Sequence, residues 1–138
     1  MSNERQERMN KEQYEKYLSC GYTDEMTVNE SGWCNNEVKE TDRKRIDLFD
    51  QNRCYAYIRF AHLPNGKWIA SSSISMPTYG YAFPLSVWCN QHETREDAIE
   101  TELKRVETSI EPKDLKPFIV DAIKKCRNAL RPLEIALF

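Results

Sequence analysis

Glycine is scarce in this chain, with four among 138 residues. That excludes a glycine-rich loop of the kind that cradles phosphates. No apolar run approaches the roughly 20 residues that a bilayer span requires. The first eight residues, Met1-Ser2-Asn3-Glu4-Arg5-Gln6-Glu7-Arg8, hold no apolar h-region, so neither a secretory leader nor a membrane partner is expected, and the cytoplasm is the expected location. The five cysteines (Cys20, Cys34, Cys54, Cys89, Cys126) are odd in number and include no Cys-x-x-Cys pair. They read as reduced thiols, several of them buried as small hydrophobes, and not as a disulfide framework. There are two histidines, His62 and His92. Cys54 and His62 lie at opposite ends of one strand pattern, about 25 Å apart at the usual rise. They cannot join Cys89 and His92 in one tetrahedral site, so neither a metal nor another cofactor is expected. Ser71-Ser72-Ser73 lacks the Gly-x-Ser-x-Gly elbow. A Cys–His pair, Cys89 or Cys54 with His92, stays open because such pairs assemble in space. With no catalytic motif, an enzyme is not expected.

Acid is the other absence. Residues 51–92 contain no Asp or Glu and three bases, Arg53, Arg59 and Lys67. Residues 1–50 carry 12 acids against 8 bases, and residues 93–112 carry 7 against 3. Residues 113–138 reverse this, with 6 bases against 3 acids. Charge thus alternates by segment, and the net −2 argues neither for nor against a polyanionic partner.

The length fits one domain, read as a lead-in over residues 1–52 followed by an α+β core over 53–138. Asn3 to Leu18 reads as a polar helix held by its C-terminal end, with few apolar positions (Met9, Tyr14, Tyr17, Leu18). Residues 19–45 read as loop with one short strand or helical turn, Trp33 anchoring it to the core. Thr41 to Asp50 reads as a short helix. From Cys54 to His62 a period of two puts Tyr55, Tyr57 and Arg59 on one face and Cys54, Ala56, Ile58 and Phe60 on the other. Leu63-Pro64-Asn65-Gly66 is a hairpin turn, and Lys67 to Ser75 returns as the second strand. Met76 to Pro84 reads as a shaped loop, and Leu85 to Asn90 as the third strand. Thr94 caps a helix whose apolar stripe is Ile99, Leu103, Val106 and Ile110. Asp114 caps another, with Pro117 in its first turn and a stripe from Phe118 to Leu130. The fold class is therefore α+β: a small antiparallel sheet of three or more strands against two C-terminal helices, with a peripheral N-terminal helix. The apolar tail Leu133 to Phe138 is expected to dock on the core, extend the sheet or bury in a partner, a second copy of the chain included.

Eight of the 15 aromatics fall in the acid-free segment. Tyr and Trp anchors dominate interface energy, so Tyr55, Tyr57 and Arg59 on the strand face, with Tyr79, Tyr81 and Phe83 in the loop, are the candidate protein-binding residues. The competing class is a nucleic-acid module in which Tyr55 and Tyr57 stack bases and phosphates meet Arg59 and the basic face Lys113, Lys116, Lys124, Lys125 and Arg127.

The run Gly66-Lys-Trp68, Gly80, Pro84-Leu-Ser86 and Thr94-Arg-Glu-Asp-Ala-Ile99 resembles short proteins of phages, plasmids and conjugative elements. These share a Gly-x-Trp hairpin, a Gly/Pro/Ser loop and a Thr-Arg-Glu-x-Ala-Ile helix. The resemblance covers residues 54–106 and implies a mobile-element accessory protein that occupies the surface of a host protein, including as an inhibitor of host defence. Their serine- and glycine-rich loop is replaced here by Met76 to Phe83, and no site residues carry over.

Overall fold

The computed structural model describes residues 2–22 and 43–130. Trp33 and most of the expected loop, together with the apolar tail, lie outside the described residues. The described chain is α+β. Helix α1 (Ser2–Ser19) precedes four strands, β1 (Arg43–Gln51), β2 (Cys54–His62), β3 (Trp68–Ser75) and β4 (Gly80–Ala82), and then α2 (Arg95–Ser109) and α3 (Pro117–Ala129). The strands form one antiparallel sheet in the order β1-β2-β3-β4.

Alternation along β2 and β3 assigns the two faces. Ala56, Ile58, Phe60 and Ile74 point into a core shared with Ile99, Leu103 and Val106 of α2 and Ile119 and Ile123 of α3. The opposite face carries Tyr55, Tyr57, Arg59 and Ala61, register partners of Ser75, Ser73, Ser71 and Ile69. Ala61 and Ile69 meet a second cluster built from Tyr17, Cys20 and Tyr22 at the end of α1 and from Leu63, Leu85 and Val87. The sheet is therefore apolar on both sides at its hairpin end and on one side elsewhere.

The α1 end is fastened by the hairpin turn. Asn65 donates its backbone N–H to the Cys20 carbonyl (3.1 Å), and its side-chain amide donates to the Ser19 carbonyl and to Gln91 (2.8 Å each). In that turn Gly66 supplies the positive φ, at 89°.

Four assignments from sequence are corrected. Thr41 to Asp50 is no helix: from Arg43 it is β1, paired with β2 through a two-residue turn in which Asn52 (φ 55°) and Arg53 (φ 63°) are both left-handed. That is the twist a tight hairpin needs. Leu85 to Asn90 is no strand: the Cys89 N–H closes a turn on the Ser86 carbonyl (3.1 Å). Pro84 has no N–H to give a ladder, and Leu85 and Val87 bury instead in the second cluster. The last strand is Gly80–Ala82, inside the stretch read as loop. Asp114 does not cap α3. Lys116 before Pro117 is extended (ψ 157°), as pre-proline residues prefer, so the helix starts at Pro117 and Asp114 falls in a 3₁₀ turn. Thr94 caps α2 as read, its Oγ1 accepting from the Asp97 N–H at 3.1 Å.

Candidate functional site

The site lies where the outer edge of β3 meets α2. After Ala82 the Phe83 N–H donates to the Ser72 carbonyl (3.3 Å), the chain swings out through Pro84 to Gln91, and His92 returns to exchange both backbone bonds with Trp68 (2.8 and 2.7 Å). The excursion leaves a cavity of about 380 Å³ walled by Phe83, Trp88, Cys89 and His92 on the loop side and by Glu102 and Arg105 on α2, with Ala70 of β3 also lining it. Phe83 and Trp88 are each 44% exposed, among the most exposed large apolar side chains described.

Glu102 is the chemical centre of this wall. It is 3% exposed, accepts from Ser72 Oγ (3.1 Å) and pairs with Arg105 Nε (3.2 Å). Ser72 in turn bonds the Tyr81 hydroxyl at 2.8 Å, and the Arg105 guanidinium sits 5.3 Å from the Phe83 ring centre. Burial pushes the Glu102 carboxyl above its ordinary range, with Arg105 and the Ser72 bond pulling back. A carboxyl whose folded-state pKa is raised binds more protons folded than unfolded, so its stabilising contribution is complete at low pH and is lost as pH rises through the raised value. Glu102→Gln removes that titration. Urea denaturation from about pH 4 to pH 7 should show the variant gaining stability relative to wild type as pH rises; a flat difference would mean Glu102 titrates like an exposed acid.

Burial also pushes the Cys89 thiol up. It accepts from the Ser86 N–H (3.5 Å) and reaches the Pro84 carbonyl (3.7 Å). A thiol held in its neutral form is a poor nucleophile, although the fold does bring Cys89 and His92 to one cavity. Cys54 is buried in the main core. Among the described residues no group of three His, Cys, Asp or Glu is arranged to hold a metal ion, and no helix is long and apolar enough to cross a membrane.

Comparison with family models, with curated proteins and with solved structures finds no match to this chain.

The residues singled out from sequence fall on three surfaces. Phe83 stands at the cavity mouth, its ring 4.8 Å from that of Tyr81. Tyr81 and Tyr79 are committed to the fold: Tyr81 through Ser72, and Tyr79 by donating to Asp114 (2.7 Å) and accepting from the Glu111 N–H (3.0 Å). Tyr55, Tyr57 and Arg59 lie on the sheet face away from α2 and α3. The two tyrosine rings are near parallel there, 7° and 6.3 Å apart, and the Arg45 guanidinium lies 3.8 Å from the Tyr57 ring centre. Lys113, Lys116, Lys124, Lys125 and Arg127 belong to α3 and its approach, on the far side of the sheet from Arg59. Arg127 is paired with Glu100 (2.8 Å) and Glu107 (3.3 Å), and Lys113 with Glu111 (3.3 Å). Arg59 and these bases do not form one track.

Sequence reasoning missed Trp88, Glu102 and Arg105. A signal existed for Glu102: it stands three residues after Ile99 and four before Val106, on the buried stripe. A second groove of about 640 Å³ runs between β1 and α3, lined by Ile46, Leu48, Phe118, Ala122 and Leu130. The cavity at Glu102 is the better candidate because polar groups converge inside an aromatic rim.

Proposed function

We propose that this chain is a non-catalytic binding protein that works by protein–protein contact through the cavity at Phe83 and Trp88. The observation that carries the reading is the placement of these two exposed aromatics at the mouth of a cavity whose wall holds a buried, paired Glu102. Exposed aromatics beside a pocket are the usual anchors of an interface, and a loop held on a rigid sheet is a usual place for them. If the resemblance to mobile-element accessory proteins extends to role, the partner is a host protein whose surface this cavity occupies, as an inhibitor of host defence would do.

The test is selection of linear and disulfide-looped peptides from a display library on the full chain. Enriched peptides should bind at least about tenfold more weakly to Phe83→Ala and to Trp88→Ala, the loss typical of an interface anchor. Both variants should melt near wild type, because half of each ring is already in water. Tyr55→Ala should bind as wild type does. Equal binding by all three variants would sink the reading.

A second reading rests on the opposite face, where the parallel Tyr55–Tyr57 pair is flanked by Arg45 and Arg59. Bases of a single strand stack on such rings. Fluorescence anisotropy with labelled single-stranded oligonucleotides should then show binding that weakens log-linearly with salt and disappears in Tyr57→Ala. No binding at low salt would remove it.

A further inference from the structure

We infer that the cavity recognises backbone: it accepts one peptide unit of an extended partner segment, which pairs with the N–H and C=O of Ala70 and supplies a missing rung on the edge of β3. The inference rests on the reading of the cavity as a protein-contact site and names what that site reads.

Trp68 exchanges both backbone bonds with His92, and the Ser72 carbonyl accepts from Phe83, so both residues turn their backbone groups to the outer edge. Residues along a strand alternate in this respect. Ala70, midway between them, therefore points its N–H and C=O outward as well, while Ile69 and Ser71 turn theirs toward Ala61 and Arg59 of β2. Among the described residues no backbone group pairs with Ala70 on that edge, and Ala70 lines the cavity.

The interruption is local. Above it the edge is filled by β4 and Phe83, and below it by His92, so among the described residues a donor and an acceptor stand open at one position of this edge. Unpaired strand edges are templates for another chain, and addition of an extended segment is a standard mode of peptide recognition, with main-chain bonds for affinity and neighbouring pockets for specificity. Here those neighbours are Phe83 and Trp88 for an apolar side chain, and Arg105 and Glu102 for polar groups beside it. The excursion from Pro84 to Gln91 bows away from the edge and leaves the opening between itself and α2. A segment entering there meets Ala70 across the mouth that the two aromatics flank.

The test uses a library-selected peptide and two measurements. Amide hydrogen exchange on the free protein should find Ala70 exchanging much faster than Ile69 and Ser71, and saturating peptide should slow Ala70 selectively. In a scan that N-methylates the peptide one residue at a time, one position should lower affinity by about tenfold or more, as loss of a backbone bond with an unpaired partner left behind would. A peptide that depends on Phe83 and Trp88 but has no N-methyl-sensitive position, and leaves Ala70 exchange unchanged, binds through side chains alone. That result overturns the inference and leaves the contact site standing. If no displayed peptide binds, both fall. Ala70 protected as strongly as Ser71 in the free protein would also overturn the inference, because the edge would already be covered.

Discussion

Gly21→Ala should cost about 2–4 kcal/mol, from a left-handed backbone without glycine together with an overpacked contact. Gly21 has φ +95°, and a Cβ there would lie 2.6 Å from the backbone nitrogen of Asn65. That neighbour is not the movable end of a side chain. Asn65 is held by its bonds to Cys20, Ser19 and Gln91, so relief of the clash pulls α1 off the hairpin. The second cluster then opens, because Tyr17, Cys20 and Tyr22 form its α1 side. Guanidinium denaturation monitored by far-UV circular dichroism would measure the loss. A variant within about 0.5 kcal/mol of wild type, the range of an unremarkable surface substitution, would show that the junction relaxes freely.

The three consecutive serines of β3 should behave in opposite ways. Ser72 points to the helix side and holds both Glu102 and Tyr81. Ser72→Ala strips a bond from a buried carboxyl and from a half-buried phenol, and should cost about 1–3 kcal/mol. Ser71 and Ser73 point to the other face, where their hydroxyls are buried with no hydrogen-bond partner among the described residues. Removing a hydroxyl that is already desolvated and unpaired loses nothing, so Ser71→Ala and Ser73→Ala should lie within about 0.5 kcal/mol of wild type or above it. Denaturation midpoints of the three variants decide the matter. Similar losses in all three would mean that Ser72 contributes by packing and not by its bond to Glu102.

The same alternation explains what could be read from sequence. β2, the Pro64-Asn65-Gly66 turn, β3 and α2 each carry an uninterrupted local pattern, and each was legible. β1 was not, because the ladder slips between Asp47 and Phe49. The bulge puts Ile46 and Phe49 on the core side three residues apart, a helical spacing inside a strand. The turn at Asn52-Arg53 lacks the glycine that usually marks a tight hairpin, so nothing local announced the partner strand. The site was half legible. Phe83 stood out as a loop aromatic, but Tyr79 and Tyr81 were equal candidates by sequence and are tied down by Asp114 and Ser72, partners 35 and 9 residues away. The meeting of Trp88 with Glu102 and Arg105 depends on how far the chain swings from the edge of β3, and no spacing encodes that.

The order of the sheet also bears on how the molecule assembles. Strands β1 to β4 pair with sequence neighbours, and α2 and α3 follow directly, so this part can form from contacts close in the chain, which favours rapid folding. The seat of α1 is different. Its bonds from Ser19 reach Asn65 and Gln91, separations of 46 and 72 residues, and close loops that the sheet must first define. Docking of α1 is thus placed after the main barrier. The damage done by Gly21→Ala belongs in the unfolding rate, with the refolding rate left near that of wild type.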